Sequence, residues 1–343
     1  VLFTASNLLT PYLLHRMIGS EEVYRATMSY LDWRVYGFFF SFIAVMFHAF
    51  YVSTTNTKIL TANSVVMVLT NVVLNYILIF GKFGFPALGI AGAAIASSIS
   101  EAVSVLFFVI YTWKKIDYKK YGLFRFTRVD FRMLGQILSV SIWVMIQHGI
   151  AFGGWFIFFI AMEHLGERPL AITNVVRSIS SFLFMFVNAF ASTNSSLVSN
   201  LIGAGESDRV LPLCRRMIGL CYAFVLPIGI LIAMFPSTVL RIYTDNPDLI
   251  ASSIPSLWVM LSSYLFAVPG FIYFFSVSGT GNTRRALEID MASIFVYVLY
   301  ILYVAVWLRA DVAVCWTTEY VYNIMILSSF FYLWKGNWRN KKI

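Results

Sequence analysis

Apolar residues run through this chain in long unbroken blocks, not in alternation. Stretches free of Asp, Glu, Lys and Arg occupy 35–57, 59–81, 133–162, 178–205, 217–240, 249–283 and 291–308. Two more, 89–113 and 312–334, hold one internal acid each, Glu101 and Glu319. A helix crossing hydrocarbon needs roughly 20 apolar residues, so each block can span a bilayer or nearly so. Barrel strands would alternate polar and apolar positions over about ten residues. With barrels excluded, backbone groups in lipid are satisfied only inside helices. The pattern therefore predicts an all-α, polytopic membrane protein with nine complete spans. Residues 1–18 read as the tail of a tenth.

Composition agrees with the pattern. The chain is 59% hydrophobic and 12% charged, against about 25% charged in a typical soluble domain. Its net charge of +9 raises the question of nucleic acid, and the distribution answers it. Lys and Arg number 17 on one side of the predicted spans and 6 on the other. Seven of the 17 sit in the segment 114–132, which reads as a polar linker between two helical lobes. By the positive-inside rule the linker and the basic tail 335–343 face the cytoplasm. The expectation is a bacterial inner-membrane protein without a nucleic-acid partner, since no loop can carry a basic, stacking face. Cys214, Cys221 and Cys315 have no paired spacing, and the four histidines are scattered, so neither a metal nor another cofactor is expected.

The chain also repeats itself. Thr54–Lys58 (TTNTK) and Thr280–Arg284 (TGNTR) lie 226 residues apart. The same offset pairs Leu31 with Leu257, Phe40 with Phe266, and the acidic hairpin at Glu21–Glu22 with the turn at Pro247–Asp248. Six spans separate the copies, so both have the same orientation. Parallel repeats of this kind occur in secondary transporters, whose substrate sites lie between repeats. Completing the first copy requires two more spans and most of a third upstream, twelve in all.

Several stretches carry a family resemblance. NVVLNYILIFGKFGFPALGIAGAAIASSISE (71–101), LGERPLAITNVVRSI (165–179), LVSNLIGAGE (197–206), SGTGNTR and the closing WKGNWRNKK stand in the order of the multidrug and toxic compound extrusion (MATE) family. The chain resembles that family over nearly its whole length. The resemblance implies two six-helix lobes around a central cavity. It implies export of cationic or amphipathic compounds in exchange for Na⁺ or H⁺, by alternating access, in a monomer surrounded by lipid. In family terms residues 1–113 are the end of the third helix through the sixth, and 133–334 are the six-helix second lobe. The family's first helix carries an aspartate central to cation coupling, and nothing here stands for it.

Candidate substrate or cation residues follow, each with a structural alternative. Asn71 and Asn75 share one helix face at i,i+4. They match the family's Asn-x-x-x-Asp element, with Asn75 where some members carry Asp, which removes a titratable group. They form either a polar pocket or an interhelical hydrogen bond worth roughly 0.6 kcal/mol. Ser97 matches the neighbouring hydroxyl position, or simply packs. Gln147, beside His148, lies mid-span and either contacts substrate or makes a structural hydrogen bond. In family terms the spans 133–162 and 249–283 lack the carboxylates of sodium-coupled members, so the second-lobe cation site of that branch is not expected. Glu101 and Glu319 are expected either to attract cations in a cavity or to pair with a neighbouring helix. The glycines and alanines at 89–96, and Gly149, Gly153 and Gly154, are expected at close helix contacts. Pro227 and Pro269 kink their spans, as hinges or static bends.

Three functions compete. A secondary antiporter accounts for the repeat and the resemblance. A lipid-linked oligosaccharide flippase of the same superfamily needs a basic cavity, for which only Arg34 and Arg177 are available. A membrane enzyme needs a nucleophile–base pair or a metal cluster, and no such spacing occurs.

Overall fold

A computed structural model describes residues 10–12, 21–117, 120–123, 130–336 and 338, without the side chains of Glu22 and Val23. Most of the expected tail of a tenth span, part of the linker and most of the basic tail lie outside these residues. The described residues contain helices and no strands. Eight of these helices are long and apolar enough to cross a membrane. The chain divides into two compact units, Val1–Arg128 and Val129–Ile343.

The first unit contains α1 (Glu21–Ser53), α2 (Lys58–Phe80) and α3 (Gly89–Lys115). Both α1 and α2 pack on α3. The small-residue stretch makes this possible. A Cβ on Gly92 would stand 2.6 Å from the Leu78 carbonyl oxygen, and Ala94 and Ala96 are fully buried. Gly89 has a different role from the one expected. It is exposed and open, with φ +54, so it serves the turn into α3 and not a helix contact. At the end of α1, Tyr51 is fully buried, stacks on Phe108 at 5.7 Å and shares a 2.6 Å hydrogen bond with Thr112.

The second unit contains α4 (Phe131–Leu165), α5 (Glu167–Gly203), α6 (Val210–Met234), the short α7 (Pro236–Leu240), α8 (Pro247–Gly279) and α9 (Thr283–Ile301). A π-helical stretch, Leu302–Trp307, prolongs α9. The ninth expected span is not one helix. It breaks into α10 (Val312–Cys315), α11 (Thr318–Leu327) and α12 (Ser329–Lys335). At the breaks the backbone switches to i→i−3 bonding, with Thr317 N–H on Val314 O, Glu319 N–H on Trp316 O and Ser328 N–H on Met325 O. The Thr317 and Thr318 hydroxyls bind the carbonyls of Val314 and Cys315, and such back-bonding perturbs helices. Of the α4 glycines, only Gly154 is buried, against Ile294; Gly149 and Gly153 meet open space. Pro227 lies inside α6, and Pro255 and Pro269 inside α8.

The repeat reappears in the backbone. α1 and α8 are both 33 residues long and begin and end at positions matched by the 226-residue offset. Glu21–Glu22 thus opens a helix, as Pro247–Asp248 does. In the turns that follow, Thr54 N–H binds Phe50 O and Thr55 N–H binds Val52 O. Their offset partners bind likewise, Thr280 N–H to Ser276 O and Gly281 N–H to Ser278 O. Thr55 and Gly281 both adopt left-handed backbone, at φ 59 and φ 78. The turn shape is common to both copies, and only the second fills the left-handed position with glycine.

Candidate functional site

The second unit encloses a cavity of about 560 Å³, bordered by α4, α5, α8, α9 and α11. Polar residues reach it at helical spacings. On α11, Glu319, Tyr322 and Asn323 stand at i, i+3 and i+4, on one face. The break before α11 puts Glu319 in that helix's first turn, where a carboxylate suits the positive end of the helix dipole. On α9, Asp290 and Tyr297 lie two turns apart and both line the cavity. α4 contributes Gln147, and α5 contributes Arg177 and Ser180.

Asp290 is the hub. It is 2% exposed, and a carboxylate so placed is costly unless bonded. Tyr322 Oη donates to Asp290 Oδ1 at 2.9 Å, and Gln147 lines the same cavity. Glu319 is half-buried on the same cavity and forms no ion pair among the described residues. Two further lining groups, Tyr297 Oη and Asn323 Oδ1, are buried without a protein partner. Unpaired buried polar atoms cost about 1–3 kcal/mol each. Its walls are aromatic, including Trp155, Phe184 and Phe271.

The expected site residues thus separate into three places. Gln147 and Glu319 meet in the second-unit cavity. Asn71, Asn75 and Ser97 meet between α2 and α3. There Asn75 Nδ2 donates to Asn71 Oδ1 at 2.9 Å, and Asn71 Nδ2 to Ser97 Oγ at 3.3 Å. Asn63 Nδ2 adds a 2.8 Å bond to Ser104 on the same interface. Asn75 Oδ1 is left buried without a partner. Glu101 stands alone, in a two-bond ion pair with Arg34 of α1, at 2.6 and 2.9 Å. Of its two expected roles, pairing with a neighbouring helix is the one the geometry shows. Gly37 leaves room for this pair, since a Cβ there would meet both charged groups.

Asp290 is the residue that sequence reasoning passed over. Cutting spans at every charge placed it outside the block 291–308, whereas α9 starts at Thr283 and carries it as an interior residue. As in the sequence, α4 and α8 contribute no acid to the cavity; its carboxylates come from α9 and α11. A signal was available: Asp290 is the last charge before the apolar run 291–308 of the same helix.

Comparison with known proteins is consistent with this geometry. The MatE family model matches residues 1–77 and 144–304. A probable multidrug resistance protein NorM of Thermotoga maritima is 29% identical over 239 residues, 69% of this chain and 50% of that protein. A probable multidrug resistance protein YoeA of Bacillus subtilis is 26% identical over 268 residues, 77% of this chain and 58% of that one. The chain spans about half the length of the curated relatives it matches. Among solved structures, an outward-facing MATE transporter of the MOP superfamily superposes with TM-score 0.86 at 17% identity, covering 98% of this chain and 75% of that one. A MOP superfamily transporter from Pyrococcus furiosus, described as having a binding pocket of reversed polarity, gives 0.86 at 16% identity, covering 97% and 74%. At such identities the likeness shows the fold.

Proposed function

The chain belongs to the MatE family of multi-pass membrane transporters, and from that premise we propose that it is a secondary antiporter, exporting cationic or amphipathic compounds in exchange for Na⁺ or H⁺. The observation that carries this reading is the aromatic-walled cavity with Asp290 and Glu319 on one side. Carboxylates inside a membrane-spanning bundle mark ion or substrate paths. Asp290, held by Tyr322, is the preorganised member. Glu319, without an ion pair, is the one available to an incoming charge. A coupling cation or proton and an organic cation would compete for these acids, which is the exchange an antiporter needs. The relatives' names, multidrug resistance proteins, fit the same cargo class. The localisation that goes with it is the bacterial inner membrane, linker and C-terminus inside, as a monomer.

A lipid-diphosphate flippase would need clustered positive charge. Arg34 is already neutralised by Glu101, leaving Arg177 as the one basic residue on this cavity, apart from His148.

The test is binding of a fluorescent organic cation to the purified chain in nanodiscs, titrated with NaCl, choline chloride and acid. Displacement by Na⁺ or by acid but not by choline is expected, and Asp290→Asn with Glu319→Gln should lower dye affinity at least tenfold, the size of a lost charge-assisted bond. Dye binding that ignores both ions and both substitutions refutes the proposal.

A further inference from the structure

α4 is gripped firmly at one end and lightly at the other. From Gly154 onward it packs into the second unit. Gly154 is buried, and a Cβ there would stand 3.2 Å from the Ile294 side chain. One turn further, Phe158 is fully buried and meets the Trp316 ring edge-on at 5.5 Å. The half that begins at the linker is different, because every residue from Phe131 to Val140 is exposed. Two contacts reach this half from the start of α9. The Thr283 hydroxyl donates to Val140 O at 3.1 Å, and the Arg284 guanidinium carbon lies 5.7 Å from the Trp143 ring centroid. The turn that carries them is itself anchored elsewhere. Asn282 Nδ2 donates to Tyr332 Oη of α12 at 2.7 Å, and the Ser199 hydroxyl of α5 donates to Gly279 O at 2.8 Å. The bond to α4 is not needed to build the turn. Thr57, the offset partner of Thr283, follows a turn with the same backbone bonds and makes no side-chain hydrogen bond among the described residues.

The cavity lies between the two grips. Val140 and Gly154 stand about 21 Å apart along α4, and Gln147, His148 and Ala151 line the cavity between them. Gly149 and Gly153 meet open space there, and glycine is where a helix bends most readily. On the linker side of the cavity the other walls are solid. Past the lining residue Phe275, α8 buries Ser276 and Val277, and ahead of Asp290, α9 buries Ala286 and Leu287. The wall that can give way at this end is α4. We propose that Thr283 and Arg284 form a latch on it. Closed, the latch holds the linker-side half of α4 against α9 and shuts that end of the cavity. Released, the half-helix swings out about the glycines at 149–154 and opens the cavity toward the linker side. Each contact is individually modest, so the latch biases the two positions of α4 without locking either.

The test is a distance measurement on the full chain in nanodiscs by pulsed electron paramagnetic resonance. Spin labels go on Gln136→Cys at the start of α4 and Arg216→Cys near the start of α6, both exposed positions. The native Cys214, Cys221 and Cys315 are buried, and a count of two labels per chain confirms that they stay unmodified. Thr283→Val with Arg284→Gln should raise the ratio of long to short distances at least fivefold, the effect of losing about one hydrogen bond. Thr283→Ser alone keeps the hydroxyl and should leave the wild-type distribution in place. A second label pair, Arg216→Cys with Lys335→Cys, leaves α4 out and should not respond to the latch substitutions. An unchanged α4 distance in the double variant, or equal broadening of both label pairs, overturns the latch. The readout is a distance in the chain without cargo, so its failure is distinct from failure of the cation-binding test above.

Discussion

The Arg34–Glu101 pair offers the sharpest test of how the first unit is held together. The two residues face each other across α1 and α3, with side chains 25% and 15% exposed, joined by two N–H···O bonds. Glu101→Gln keeps the shape and removes the charge, leaving the guanidinium between helices with a neutral acceptor. Breaking a buried pair on one side costs about 3–5 kcal/mol. This pair keeps some exposure, so the expected loss is about 2 kcal/mol. Replacing both charges is a different perturbation. A buried pair exchanged for apolar residues of similar volume is often neutral, so Arg34→Met/Glu101→Met is expected within about 1 kcal/mol of wild type. With Arg34→Met and Glu101→Met as the single variants, each losing about 2 kcal/mol, the coupling in the double-mutant cycle is about 3 kcal/mol. The assay is SDS-driven unfolding of the purified chain in mixed micelles, followed by circular dichroism, with limited proteolysis reporting the first unit separately. If the double variant loses the sum of the two single losses, the charges are not coupled and the argument fails.

Three further outcomes follow from the geometry. Gly92→Ala drives a methyl group to within 2.6 Å of the Leu78 carbonyl, a backbone atom that cannot swing aside; a loss of about 1–3 kcal/mol is expected in the same unfolding assay. Thr55→Gly relieves a left-handed non-glycine residue at φ 59 and should stabilise by up to about 1 kcal/mol, whereas Gly281→Thr should destabilise by a similar amount; matching signs would undo the repeat argument for this turn. Asn75→Ala removes one bond within the α2–α3 polar chain and should cost roughly 0.6 kcal/mol without changing dye affinity at the second-unit cavity, which a binding titration of the variant checks.

Much of the helical plan was legible because lipid imposes a simple code: a stretch apolar enough to leave water must be helical and about 20 residues long. The repeat was legible because the turn after α1 and the turn after α8 need the same hydrogen bonds, and sequence follows that need through Thr-x-Asn-Thr. The breaks around α11 were not. They depend on which of several Ser and Thr hydroxyls bond to carbonyls three residues back, and composition does not say which. The pairing of Glu101 was equally hidden, because its partner lies 67 positions away.

The misplaced span boundaries share one physical cause. Cutting at every charge moved the start of α1 from Glu21 to residue 35, of α5 from Glu167 to 178, and of α9 from Thr283 to 291. The charges responsible are Arg34, Arg177 and Asp290. Arg34 is neutralised by Glu101, Arg177 lies over two aromatic rings, and Asp290 is bonded by Tyr322. A fourth displaced start, at α6, comes from Arg215 and Arg216, which are exposed within two turns of the helix start, where a long side chain can reach water unaided. The distinction is burial and side-chain reach: an exposed arginine near a helix start reaches water, whereas the short side chain of Asp290, 2% exposed at nearly the same depth, needs a partner. By that reasoning the buried interior charges of an apolar helix should be read as the first candidates for its function, and here they lead to Asp290, a cavity-lining group that the span pattern alone had left outside its block.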